Sequence, residues 1–110
     1  MLLKDSSTAI TGANVENAAY PVGTCAERVA FGTAIASGLR LGAFKAIAVA
    51  TNTDKPCSPC GMCRQFIREF CHKSTPIFMF YQSDKYAVKT LGEVRSAKFL
   101  VPELNYLLYQ

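Results

Sequence analysis

Apolar positions recur along this chain with two alternating periods, and polar or glycine/proline clusters separate them. Met1–Leu3 is apolar and breaks at the turn-forming Lys4-Asp5-Ser6-Ser7. The pattern resumes over Thr8–Thr11, which predicts a hairpin with a very short first strand. From Gly12 to Gly23 no period is sustained, and Asn14, Asn17, Pro21 and Gly23 act as breakers, so this stretch reads as irregular. Val29, Ala30, Ala34 and Ile35 then recur at helical spacing, with Thr24 as cap and Gly38 as stop. Phe44–Thr51 is a compact apolar run predicted as a buried strand, closed by a turn over Asn52–Lys55. A second helix opens at Ser58-Pro59, with Ser58 as cap and Pro59 in the first helical position. Met62, Phe66, Ile67 and Phe70 form its apolar stripe, and Pro76 bars its continuation. Ile77–Tyr81 carries no charge and reads as an interior strand, followed by a strand over Tyr86–Lys89. Thr90-Leu91-Gly92-Glu93 has the form of a cap for a short helical turn, and Pro102 opens a last helix carrying Leu104, Leu107 and Leu108. Strands alternating with helices predict an α/β fold, a mixed sheet covered by helices in a three-layer α/β/α arrangement.

The length of 110 residues bounds this to one domain, residues 1–110. A core of that size gives modest stability, so association with further copies would help. Lys+Arg 12 against Asp+Glu 8 leaves a net charge of +4 spread along the chain without a basic stripe, which argues against a nucleic-acid partner. No apolar run reaches the roughly 18 residues of a membrane span, and no basic segment followed by an apolar stretch marks a secretory signal. Five cysteines, three of them clustered, favour metal binding over disulfides in a reducing, cytoplasmic setting.

The clustered residues are Cys25-Ala26-Glu27 and Pro59-Cys60-Gly61-Met62-Cys63. Three thiolates are one ligand short of a closed tetrahedral zinc site, and an open position can hold a water and do chemistry. Cys25 and Cys60 fall in the first turns of the two predicted helices, where free backbone N–H groups stabilise thiolates. Cys60 and Cys63 are one helical turn apart and can point at one ion. Glu27, two residues after the first thiolate, is placed to handle the protons of that water. Zinc with three thiolates carries a net charge of −1, and Arg28 is the candidate to offset it through a cysteine sulfur.

Other readings of the same residues stand beside these. Thr24-x-x-Glu27 also has the form of a capping box. Cys57-Ser58-Pro59-Cys60 is a second C-x-x-C, and with Cys25 and Cys63 it could close a structural four-cysteine site, although Pro59 sets Cys57 before the helix. Cys71 reads as core. His72 stands nine residues beyond Cys63, about 13 Å along a continuous helix, and is too far to share the site.

The stretch from Thr11 to Arg28, with Asn14-Val15-Glu16-Asn17 and Cys25-Ala26-Glu27-Arg28, together with Pro59-Cys60-Gly61-Met62-Cys63-Arg64-Gln65, resembles the cytidine deaminases of the small, homotetrameric, three-cysteine type. The resemblance implies a Zn²⁺ cofactor on Cys25, Cys60 and Cys63, with Glu27 as proton shuttle. It implies hydrolytic deamination of cytidine, and of 2′-deoxycytidine, in pyrimidine salvage. Asn14 and Glu16 would bind the ribose, and the Ala26 carbonyl would receive the exocyclic amine. Arg28 and Gln65 would tune the thiolates. Tyr20 and Phe99 would reach a neighbouring subunit's site in a homotetramer with shared active sites. The partner is then a small nucleoside. Nucleic-acid editing deaminases and aminonucleoside deaminases share the zinc motif, but Asn14-Val15-Glu16-Asn17 favours cytidine.

The chain departs from that family in two places. The family pattern has a helix, then a strand carrying a base-stacking Phe, ahead of a segment like Leu2-Leu3, whereas this chain begins at about that Leu-Leu. The expectation is therefore a domain lacking the usual N-terminal helix, with a truncated, non-catalytic zinc-stabilised subunit as the alternative to an active enzyme. Val94-Arg95-Ser96 also stands where the family has a Leu-Pro pattern.

Overall fold

The computed structural model describes residues 1–4, 8–82 and 84–95. Among them the chain forms β1 (Leu2–Leu3), α1 (Ala26–Ala36), β2 (Phe44–Ala50), α2 (Gly61–Phe70), β3 (Pro76–Tyr81), β4 (Lys85–Thr90) and α3 (Leu91–Arg95). The strands build one mixed sheet in the order β1-β2-β3-β4. β1 runs antiparallel to β2, with Leu2 opposite Ala46. β2 runs parallel to β3, with Val49 opposite Met79. β4 returns antiparallel to β3, with Met79 opposite Ala87. The uncharged strand is thus interior, as its composition predicts.

Alternation along the strands sorts the two faces. Ile47, Ile77 and Met79 point to one side, where they share a core with Phe31 and Ala34 of α1, Ile67 of α2, and Leu91 and Val94 of α3. Phe31 packs edge-on against Phe44, with ring centroids 5.0 Å apart. Each of these large side chains removed from water contributes roughly 1.5–3 kcal/mol. Phe31 was not among the positions expected on the apolar face of α1, yet it is buried while Val29 and Ile35 are only partly so. On α2 the inward row is Cys63 and Ile67, and it continues to Cys71 just past the helix. Met62, expected on the stripe, is instead 63 % exposed.

The other side of the sheet carries Ala48 and Ala50 of β2 and a cluster of Phe78, Phe80 and Tyr86 with ring centroids 5.3–6.0 Å apart. The last helix expected from Pro102 falls outside the described residues, as does Phe99.

The helix ends differ from expectation in an instructive way. Cys25, not Thr24, is the N-cap of α1. Cys60, not Ser58, is the N-cap of α2, so neither cysteine lies within the first turn. Thr24 is used elsewhere: its backbone exchanges two 2.9 Å hydrogen bonds with Val15. The cap expected at Thr24, and the capping box that Thr24-x-x-Glu27 offers as the other reading of Glu27, do not form: the N-cap of α1 makes no side-chain hydrogen bond. The stop at Gly38 is as expected. Gly38 adopts φ +96, and its N–H and that of Leu39 return to the carbonyls of Ile35 and Ala34. The hairpin arms are tied by bonds from Leu3 N to the Thr8 carbonyl and from Ile10 N to the Met1 carbonyl, although residues 8–11 form no continuous strand.

Candidate metal centre and the cavity beside it

Two helix starts meet at the candidate site. Cys25 and Cys60, the N-caps of α1 and α2, bring their Sγ atoms to 3.9 Å. Cys63, in the first turn of α2, completes a group whose three sulfurs all lie within 4.8 Å of one another. Four ligands placed tetrahedrally at the usual zinc–sulfur distance of about 2.3 Å stand about 3.8 Å apart, so this spacing fits three thiolates on one zinc ion. It is far too long for a disulfide, and all five cysteines are free.

Local sequence explains why these sulfurs converge. Cys63 begins the inward row of α2 and is fully buried, so the core beneath Ile67 anchors it. Cys60 accepts the Cys63 N–H on its own sulfur at 3.5 Å and caps its own helix. Burial opposes ionisation of Cys60, but the hydrogen bonds from Cys63 and the Met62 backbone outweigh it, and its pKa is lowered. Cys63 is held well above the usual thiol range by burial and then by the charge of Glu27. A bound cation reverses that balance, because a coordinating thiol loses its proton outright. Two helix N-termini aimed at the cluster add partial positive charge.

Cations complete the shell. Arg28 donates from Nη2 to Cys25 Sγ at 3.7 Å, and its pKa is raised by that bond and by another to Cys63. Its Nε is buried without a partner. Arg64, to which the sequence pattern assigns no role, clamps the approach to α2. Its Nε donates to the Pro59 carbonyl at 2.7 Å and its Nη2 to Ser58 Oγ at 2.8 Å. The signal for it was an arginine one turn after the capping cysteine.

Glu27 is the acidic residue of the first turn of α1 and is partly buried. A cavity of about 350 Å³ opens beside it, lined by Ala26, Glu27, Gly12, Ile10, Ala48 and Ala50 among others. That is within the size range of small-molecule sites, and its walls are mostly apolar. Asn14 reaches the same turn, its Oδ1 accepting the Ala26 N–H at 2.7 Å.

The remaining candidates are more dispersed. Glu16 is exposed, two residues beyond Asn14. Tyr20 sits in a single 3-10 turn, Tyr20–Val22, and is 89 % exposed. Gln65 gives its amide to Glu69, one turn along the exposed side of α2, at 3.0 Å. Cys57 is exposed, with its thiol facing the Ser58 carbonyl at 3.8 Å, and it is not part of the sulfur cluster. His72 is exposed beyond the end of α2, and Cys71 is buried with its thiol pKa pushed up to about 12.

Comparison with known proteins gives a consistent picture. Residues 1–79 match the family model described as the cytidine and deoxycytidylate deaminase zinc-binding region. A cytidine deaminase of Sporosarcina psychrophila is 39 % identical over 109 residues, which span 99 % of this chain and 79 % of that protein. A cytidine deaminase of Mycoplasma genitalium is 37 % identical over 95 residues, spanning 86 % of this chain and 71 % of its own. Among solved structures, cytidine deaminase from Burkholderia pseudomallei superposes with a TM-score of 0.76 at 38 % identity, covering 80 % of this chain and 69 % of that one. Among the described residues no helix is long and apolar enough to cross a membrane.

Proposed function

We propose, from the premise that this chain belongs to the cytidine deaminase family and is a zinc-dependent hydrolytic deaminase of cytidine, that Cys25, Cys60 and Cys63 hold the ion and Glu27 moves the protons. The observation that carries the assignment is the convergence of three sulfurs within 4.8 Å at two helix N-termini, beside a partly buried carboxylate and a cavity. When bound, zinc supplies the Lewis acidity that makes water a competent nucleophile near neutral pH.

The protein's own groups do the rest. Glu27 takes one proton from the attacking water and passes it to the pyrimidine ring nitrogen; it then takes the second proton from the hydroxyl now on C4 and delivers it to the departing amine, so that the C4–N bond breaks, ammonia leaves and uridine results. The Ala26 carbonyl accepts from the exocyclic amine and orients it. The apolar cavity walls at Ile10, Ala30 and Phe31 exclude bulk water from the ring. Asn14 and Glu16 bind the sugar hydroxyls, and 2′-deoxycytidine is a second substrate. Arg28 lowers the charge of the three-thiolate site. Gln65 contributes to that shell from α2.

The enzyme works as a homotetramer with shared active sites, in which the exposed Tyr20 reaches a neighbour's site. The second cross-subunit residue, Phe99, lies outside the described residues. Its setting is the cytoplasm and its role pyrimidine salvage.

The test is Glu27→Gln in the zinc-loaded protein of these 110 residues. It should retain one zinc per chain and lose ammonia release from cytidine. Turnover close to that of the parent would overturn the assignment.

A further inference from the structure

The N-cap of α1 is a metal ligand, and that creates a problem which the fold solves from a distance. A helix start leaves its first N–H groups without intrahelical acceptors, and a Ser, Thr, Asp or Asn at the N-cap ordinarily satisfies one of them. Cys25 occupies that position and makes no capping bond. Its sulfur faces Cys60 and Arg28 instead. The missing acceptor comes from Asn14, twelve residues away in sequence, whose Oδ1 takes the Ala26 N–H at 2.7 Å.

Two neighbours show that this contact belongs to a built strap. A side chain at Gly12 would place its Cβ 2.6 Å from both the Ala26 carbonyl oxygen and the Ala30 nitrogen, so only glycine lets the segment lie against the first turn of α1. Val15 and Thr24 exchange two backbone hydrogen bonds at 2.9 Å. Gly12 and Asn14 are therefore fixed against the turn that carries Ala26 and Glu27, and Val15 against Thr24 just before it.

The amide of Asn14 has one acceptor and one two-proton donor. Because the Ala26 N–H can only donate, the oxygen must face α1, and Nδ2 is the group left for a ligand. We infer that Asn14 is a positioning residue that couples the sugar to the catalytic turn: a ribose hydroxyl on Nδ2 and the Ala26 N–H on Oδ1 hold one planar amide between them. The inference rests on the reading of Asn14 as a ribose contact. On this view a nucleoside contributes to turnover as well as to affinity, since binding at the unreacting sugar is spent on ordering the residues that react.

The experiment compares Asn14→Asp with Asn14→Ala in kcat, KM for cytidine and the visible spectrum of the Co²⁺-substituted protein. Asp keeps an acceptor for the Ala26 N–H and loses the donor. It should raise KM at least tenfold, keep kcat within about threefold and leave the cobalt–thiolate bands in place. Ala loses both, so it should raise KM similarly, lower kcat at least tenfold and shift the bands. Equal kcat and equal spectra in the two variants would overturn the positioning role. A parental KM in Asn14→Asp would overturn the sugar contact on which the coupling depends. Should Asn14→Ala fail to fold, Asn14→Asp alone decides, because a tenfold loss of kcat with a shifted spectrum in that variant overturns the inference.

Discussion

The guanidinium of Arg28 lies one helical turn beyond Cys25 and donates from Nη2 to its sulfur at 3.7 Å. Three thiolates on a dication leave a net negative site, which weakens the acidification of water. A fixed cation bonded to a ligand sulfur draws charge from the cluster and also orients that sulfur. The neutral variant Arg28→Gln should lower zinc affinity or turnover by about 10- to 100-fold, the range typical of lost outer-shell partners. Competition with a chromophoric chelator reads the first and ammonia release the second. Parental values in both would show the contact to be incidental.

Cys57 and Cys60 separate two descriptions of the metal site. Cys57 is exposed and stands outside the sulfur cluster, whereas Cys60 is 3.9 Å from Cys25 and caps α2. Cys57→Ser should therefore keep one zinc per chain and parental turnover. Cys60→Ser should lose the metal, and with it much of the fold, because ion binding and folding share one free energy. Zinc content by atomic absorption distinguishes them, and loss of zinc from Cys57→Ser would favour a closed four-cysteine site.

Much of this was legible in the sequence because it depends on short-range patterns. The order of helices and strands followed from period and breakers. The uncharged Ile77–Tyr81 announced an interior strand, and the motif Cys25-x-Glu27 with Pro59-Cys-x-x-Cys63 announced the cluster. The misplacements share one cause. Thr24 and Ser58 are good caps by composition, but Thr24 is committed through its backbone to Val15, while Ser58 receives Arg64. Each helix then starts one or two residues later, on a cysteine. Those are long-range commitments with no local signature. The same holds for the Gly12 approach and the Asn14 bond to Ala26, which join segments twelve or more residues apart. Phe31 escapes the periodic pattern because an aromatic between two small residues does not stand out in a helix whose apolar face is mainly alanine.

Glu93 ties α3 to the end of β4. Its carboxylate accepts from Thr90 N at 2.7 Å and Thr90 Oγ1 at 3.1 Å, and Thr90 Oγ1 in turn accepts the Glu93 N–H at 3.3 Å, the reciprocal capping expected from sequence. The backbone bond from Thr90, followed by the side-chain bond, lowers the Glu93 pKa from its ordinary 4.5. A depressed folded-state pKa means that the contribution is present above the unfolded-state value and is lost as pH falls through the folded one. The melting-temperature difference between the parent and Glu93→Gln should thus be present near pH 6–7 and shrink in acid below about 4.5. A difference independent of pH would mean the carboxylate charge plays no part.

Removing the metal tests how the two halves of the site are held. α1 and α2 meet at their N-caps, and the direct sulfur contact there is the 3.9 Å approach of Cys25 to Cys60. Without a cation, two helix starts of like partial charge face each other, and the buried Cys63 thiol is held protonated by its surroundings. An ion that binds only the folded state adds stability that grows with its concentration over Kd, reaching about 4 kcal/mol at a thousandfold excess. For a chain of this size that corresponds to a shift on the order of 10–20 °C. Calorimetry with excess chelator should therefore show a lower melting temperature of that order, recovered on adding Zn²⁺. Glu27→Gln should show the same shift while remaining inactive, which separates the structural contribution of the ion from catalysis. A chelated protein proven free of zinc that melts with the loaded one would mean the sulfur cluster is preformed by packing alone.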